Sequence, residues 1–136
     1  MNNHKEKNII FTGGGSGGHV MPAITLIQEL KKDSSNHLFY IGGKGIEKEL
    51  IDPLKIPYRT ISTGKLRRYF SWENILDFFR IIQGAFQAVN ILVRFDRKNT
   101  LIFSTGGFVA VPVVLAAWFT RKKIFIHEQT GRVGLA

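Results

Sequence analysis

FTGGGSGGHVMPA, residues 11–23, sets five glycines and one serine between an apolar run and a helix-like pattern. Ahead of the glycines, NIIFT (8–12) reads as a short strand. Behind them, Ile24, Leu26, Ile27 and Leu30 are apolar at helical spacing. The unit is therefore strand, glycine turn, helix, and the same alternation continues along the chain. HLFYIGG (37–43) reads as a second buried strand, IEKELI (46–51) as a short helix and YRTIS (58–62) as a third strand. A long helix is expected over 73–95, where Glu73, Asp77, Arg80, Gln87 and Arg94 follow helical steps and leave a broad apolar face. TLIFS (100–104) is a fourth strand, GGFVAVP (106–112) a second glycine turn, VVLAAWF (113–119) a helix and KKIFIHE (122–128) a fifth strand. Strands alternating with helices, with strand runs apolar enough to be covered on both faces, predict an α/β fold: a Rossmann-like, doubly wound parallel sheet.

Composition bounds the rest. The 136 residues suit one domain, and 44% hydrophobic against 21% charged residues is a globular balance. With no cysteine, neither a disulfide framework nor a thiolate metal site is available. The start, MNNHKEKNII, carries charge but no long apolar stretch, so no signal peptide is expected. The longest uninterrupted apolar run, Phe108 to Phe119, contains Pro112 and falls well short of the roughly 20 residues of a spanning helix. No bilayer crossing is expected. The net charge of +9 is uneven: residues 1–53 hold six basic and six acidic side chains, residues 54–136 thirteen and four. The second part should face something acidic: a nucleic acid, an anionic lipid or a phosphorylated substrate.

Three glycine-loop chemistries compete for residues 13–18. Gly13, Gly15 and Gly18 fit a dinucleotide fingerprint, but the second strand ends Ile41, Gly42, Gly43, Lys44 without the acidic residue that would hold a ribose. NAD is disfavoured, and an NADP-like use of Lys44 stays as a minor alternative. A phosphate-binding nucleoside triphosphatase loop would place Lys and Ser or Thr after Gly18, where His19 and Val20 stand. What remains is an anion site built from backbone N–H groups at a helix N-terminus. The rival is a tight turn, which needs only one or two glycines. His19, in the first helical turn, meets a dipole that favours the neutral ring, which suits either a general base or a histidine packed at the turn.

The ends of the other strands should reach the same edge of the sheet. Gly106 and Gly107 make a second glycine turn there, so a ligand with more than one phosphate is expected. HEQT (127–130) follows the fifth strand; Gly131 stands where a zinc-binding HExxH would need its second histidine, so no metal is expected. In TGKLRRYFSW (63–72), Lys65, Arg67 and Arg68 alternate with Leu66, Tyr69, Phe70 and Trp72. That mixture suits an anionic bilayer surface, or bases of a single strand, or a solvated loop folded back on the core. A nucleic-acid partner is not expected, because no recognition motif accompanies it.

With these residues placed, the chain resembles the N-terminal half of the MurG family of glycosyltransferases. The resemblance rests on TGGGSGGHVMPA, IGGKGIEKELI, STGKLRRYFSW, STGGFVAVPVVLAA and HEQTGRVGLA in order, which together run through almost the whole chain. It implies that residues 1–136 form the acceptor- and membrane-facing half of a two-domain GT-B enzyme, with the C-terminal donor-binding half absent from this sequence. The implied reaction moves N-acetylglucosamine, with inversion, from UDP-N-acetylglucosamine to the 4-hydroxyl of an undecaprenyl-diphosphate-linked muramyl-pentapeptide in peptidoglycan synthesis. It would run at the cytoplasmic face of the plasma membrane without a cofactor.

Carried over by position, His19 matches the family's proposed base. Gly14, Gly15, Ser16, Gly17 and Gly18 match the loop that meets the donor sugar and the diphosphate. Gly106 and Gly107 match the second phosphate-facing loop, and Glu128 and Gln129 a polar segment lining the cleft. Thr130 stands where the family often has a donor-contacting asparagine. Lys65, Leu66, Arg67, Arg68, Tyr69, Phe70 and Trp72 fall in the implied membrane contact. A non-catalytic acceptor-binding or tethering subunit would share the basic loop but need no base, and a reductase domain would take NADP on residues 13–18.

Overall fold

A computed structural model describes residues 5–64 and 72–127. Among these residues five strands and four α-helices alternate: β1 (Lys7–Thr12), α1 (Gly17–Leu30), β2 (Asn36–Gly42), α2 (Ile46–Ile51), β3 (Tyr58–Thr60), α3 (Trp72–Leu92), β4 (Thr100–Ser104), α4 (Ala110–Phe119) and β5 (Lys123–Ile126). All strand pairs are parallel, in the order β3-β2-β1-β4-β5. The chain winds outward from β1 to one side and then returns to the other through α3. The direction of winding therefore reverses between β1 and β4, where open α/β sheets bind ligands beyond the strand ends.

Strand alternation divides the core in two. Ile10, Ile41 and Ile102 pack with Ala88, Leu92, Val113, Ala116 and Ala117 of α3 and α4. Phe11, Leu38 and Tyr40 face the opposite side, against Val20, Ala23, Ile27 and Ile51 of α1 and α2. Successive β1 residues thus enter different layers, and both layers are apolar, as a strand buried on two faces requires.

Several element bounds differ from the sequence expectation: α3 ends at Leu92, not 95, β5 spans Lys123–Ile126, not 122–128, and two further shifts have a visible cause. The fourth helix begins at Ala110, not 113, with Pro112 in its first turn, where a missing N–H costs no helical bond. The third strand ends at Thr60 instead of 62: the Ser62 N–H donates to the Gln87 side chain at 2.6 Å and so leaves the sheet for α3.

The α3 polar stripe also departs from the expected solvent face. Asp77 is buried and Gln87 half-buried, whereas Leu76, Phe78, Phe79, Phe86 and Val93 are exposed; Phe86 is 69% exposed. The broad apolar face is thus wider than the core can use. By length and composition α3 is also apolar enough to cross a bilayer, although Glu73, Asp77 and Arg80 interrupt its apolar run. One side of α3, at Ile81, Gly84, Ala88 and Leu92, is nevertheless built into the domain core. Gly84 lies so close to Ser62 that a methyl there would overlap the Ser62 carbonyl oxygen.

Candidate functional site

The register of β1 on β4 pairs Thr12 with Ser104, so the turns that leave these strands lie side by side. The Thr105 N–H donates to the Thr12 carbonyl at 2.9 Å, and the Gly14 N–H to the Gly106 carbonyl at 3.2 Å. Such close backbone contact is what several of the glycines provide. Gly107 has φ +81°, and a Cβ there would overlap the Gly14 carbonyl oxygen. At Gly13 it would meet the Thr105 side chain, at Gly14 the Glu47 carboxylate and at Gly15 the Phe108 ring.

Gly17 and Gly18 are different. Nothing lies within 4 Å of a Cβ built at Gly17, and only the Ser16 hydroxyl, at 4.0 Å, lies near one at Gly18. Packing accounts for Gly13, Gly14 and Gly15, while the two glycines that begin α1 border open space. Ser16, the N-cap residue, makes no side-chain capping bond, so the positive end of α1 is not closed by its own cap. The tight-turn reading and the anion-site reading therefore apply to different glycines of one loop.

His19 stands where the two turns meet. Its Nδ1 lies 3.3 Å from the Thr105 carbonyl oxygen. A carbonyl can only accept, so this bond requires the proton on Nδ1; in the neutral ring the lone pair is then on Nε2. A Cβ at Gly106 would come 3.5 Å from Nδ1, and one at Gly107 3.3 Å from Cδ2, so the second glycine turn cups the ring. The site unites a helix N-terminus, a second glycine turn and a half-buried imidazole.

Below the first turn lies a layer whose role the sequence reading missed. Glu47, at the start of α2, is 1% exposed. The Gly43 N–H donates to its Oε1 at 3.0 Å, and the Gly15 N–H to its Oε2 at 3.5 Å. Tyr40 donates its hydroxyl to the Gly13 carbonyl at 2.7 Å, and Tyr58 to the Gly43 carbonyl at 2.6 Å. The two rings stack with centroids 5.4 Å apart. Burial first, and the nearby Glu47 charge second, raise both phenols far above their ordinary range. The available signal was the cluster Gly42, Gly43, Gly45 ahead of Glu47, which periodicity alone reads as a turn and an amphipathic helix.

Of the remaining candidates, Lys65, Leu66, Arg67, Arg68, Tyr69, Phe70, Glu128, Gln129 and Thr130 lie outside the described residues. Trp72 opens α3 and is 78% exposed. His127 donates its N–H to the Ser104 carbonyl at 2.8 Å, extending the β4–β5 ladder, and its ring stacks on Phe103. A cavity of about 240 Å³ lies elsewhere, under the C-terminal end of α3, lined by Phe39, Ile41, Arg59 and Arg94 among others and sharing no residue with the glycine turns.

Residues 9–136 match the glycosyltransferase family 28 N-terminal domain. The chain belongs to this family. Among curated relatives, the UDP-N-acetylglucosamine--N-acetylmuramyl-(pentapeptide) pyrophosphoryl-undecaprenol N-acetylglucosamine transferase of Legionella pneumophila (strain Lens) is 50% identical over 130 residues, covering 95% of this chain and 35% of that protein. The enzyme of the same description from Geobacillus thermodenitrificans is 45% identical over 132 residues, 96% of this chain and 36% of its own length. The crystal structure of Acinetobacter baumannii MurG superposes with a TM-score of 0.70 at 26% identity, covering 95% of this chain and 36% of that one. The family 28 domain described here thus spans about a third of the length of these relatives. The MurG resemblance and the Rossmann-like fold both stand.

Proposed function

We propose that this family 28 domain is the acceptor-binding half of a transferase that moves N-acetylglucosamine from UDP-N-acetylglucosamine to the 4-hydroxyl of an undecaprenyl-diphosphate-linked muramyl-pentapeptide. The observation that carries the reading is His19, held on the Thr105 carbonyl between two glycine turns at the C-terminal ends of β1 and β4. In this arrangement Nε2 takes the proton of the acceptor hydroxyl as that oxygen attacks the anomeric carbon. The UDP oxygen leaves with the bonding pair, and the anomeric configuration inverts. Backbone amides at the start of α1 face the acceptor diphosphate and offset its charge, and the Gly106–Gly107 turn closes the other side of the site. The donor is held largely by a C-terminal half, with Ser16, Gly17 and Gly18 lining the cleft on this side; Glu128, Gln129 and Thr130 follow β5 in the sequence and are proposed to contact the substrates.

The exposed apolar residues of α3 and the basic segment that precedes it supply the membrane seat. Phe78, Phe79 and Phe86 project from a helix whose other side is core, so α3 rests on the bilayer surface instead of crossing it. Lys65, Arg67 and Arg68 lie just ahead of Trp72 in the chain, where they meet anionic headgroups at the cytoplasmic face. Flotation with anionic vesicles tests the reading. Vesicles containing a prenyl-diphosphate muramyl acceptor should bind the chain more tightly, and at higher salt, than vesicles without it. Equal binding to both would remove the acceptor site and leave a basic, apolar surface.

A further inference from the structure

Glu47 does no chemistry in the reaction proposed above, yet it is the most buried charged side chain among the described residues. A carboxylate removed from water is costly unless its oxygens are bonded. Among the described residues no lysine, arginine or histidine forms an ion pair with it; the adjacent Lys48 pairs with Asp52 at 2.8 Å instead. Its partners are the backbone N–H groups of Gly43 and Gly15, one from each of two neighbouring turns. Gly14, Gly43 and Gly45 all close on the same side chain: a Cβ at these positions would come within 2.8, 2.9 and 2.9 Å of it.

From there the contacts lead to the site. Gly14 donates to the Gly106 carbonyl, Gly107 lies under the Gly14 carbonyl, and Gly106 and Gly107 both border the His19 ring. We infer that Glu47 is a positioning residue: bound to the Gly43 and Gly15 amides, it sets the height of the Gly13–Gly18 turn, and through Gly14 and the Gly106–Gly107 turn it seats His19 on Thr105. Packing alone does not explain the choice of residue. A negative charge beneath an anion site opposes the ligand, but two N–H groups from two turns require two acceptor oxygens on one short side chain.

The inference rests on the anion-site reading for its ligand, and the test separates the two. Wild type, Glu47→Gln and Glu47→Ala are prepared as the 136-residue chain and titrated with inorganic pyrophosphate, following the backbone amide signals of residues 15–18 by NMR. Ring ¹⁵N shifts report the His19 tautomer in the same samples. Positioning predicts that Glu47→Gln, left with one acceptor oxygen, binds pyrophosphate about five-fold more weakly or worse and shows a mixture of His19 tautomers, with Glu47→Ala more affected. A purely electrostatic influence predicts the opposite, tighter binding once the charge is removed. Unchanged or tighter binding with His19 still protonated on Nδ1 overturns the inference, and so does a lowered melting temperature with neither readout altered. If wild type does not bind pyrophosphate, the anion reading fails, and the His19 tautomer alone decides for or against Glu47. If Glu47→Gln does not fold, Glu47→Asp, one methylene shorter and drawn back from Gly15, is held to the same two readouts.

Discussion

His19 Nδ1 and the Thr105 carbonyl oxygen are 3.3 Å apart, a contact that joins the first turn of α1 to the end of β4 and leaves Nε2 as the basic nitrogen. If Nε2 is the general base, His19→Ala in a polypeptide joining this domain to a donor-binding half should lower the single-turnover transfer rate by about 10²- to 10⁴-fold. Vesicle binding through α3 and the acceptor diphosphate should change little. A tethering subunit would lose nothing, so transfer at the wild-type rate by the variant would favour that alternative.

Gly107 and Gly17 should respond to alanine in opposite ways. At Gly107 the methyl meets a positive φ of +81° and the Gly14 carbonyl, so a cost of about 1–3 kcal/mol is expected. For a chain of this size that lowers the melting temperature by several degrees. At Gly17 the methyl meets nothing within 4 Å. Gly17→Ala should melt at or slightly above the wild type yet bind a prenyl-diphosphate acceptor about ten-fold more weakly or worse, because the methyl enters the space of the ligand at the helix N-terminus. Calorimetry and acceptor binding on the same two variants check both halves.

These two glycines show how far the sequence could be read. The strand, glycine turn and helix order at residues 8–30 was legible because each element carries its own signal: an apolar run, an excess of glycine, a 3.6-residue period. That Gly13, Gly14 and Gly15 serve turn-to-turn packing while Gly17 and Gly18 border open space was not legible, because the deciding neighbours, Thr105, Glu47 and Phe108, lie 33 to 93 residues away. Asp77 misled for a related reason. Its helical phase matches a solvent stripe, but α3 turns that flank inward, and Arg80 pairs with it at 3.0 Å. Periodicity counts the faces of a helix without saying which of them the rest of the fold will cover. His19 was found by its place in the chain, and its tautomer only through the Thr105 carbonyl.

Tyr40 and Tyr58 make stability depend on pH in the alkaline range. Both phenols are raised in the folded state, by burial first and by the Glu47 charge second, so above about pH 10 the unfolded chain loses phenolic protons that the folded chain keeps. Unfolding then releases protons, and stability falls as pH rises. It should be flat with respect to these groups between about pH 7 and 9, and fall by about 1 kcal/mol per pH unit from Tyr40 above about pH 10. The more exposed Tyr58 should add less. Tyr40→Phe should be less stable at neutral pH by about 1–3 kcal/mol, because the buried Gly13 carbonyl loses its 2.7 Å donor, but its stability should decline less steeply above pH 10. Urea unfolding from pH 7 to 11 measures both effects, and parallel alkaline slopes in the two proteins would refute the assignment.

The proposed membrane seat can be separated from the fold because Phe79 and Phe86 are 62% and 69% exposed while the opposite side of α3 is core. Replacing both by serine removes apolar surface that water already touches, so the folded chain should lose no more than about 0.5 kcal/mol per site. Vesicle binding has more to lose. Seating two largely exposed phenylalanines in the headgroup boundary is worth about 1–2 kcal/mol each, so the double variant should bind anionic vesicles about thirty-fold more weakly or worse. Its residual binding should keep the salt dependence of the wild type, because Lys65, Arg67 and Arg68 are untouched. Replacing those three by glutamine should do the reverse, with weaker binding and little remaining response to salt. If the Phe79 and Phe86 double variant floats as well as the wild type, α3 does not face the bilayer, and its apolar side must be accounted for by contact with another polypeptide segment.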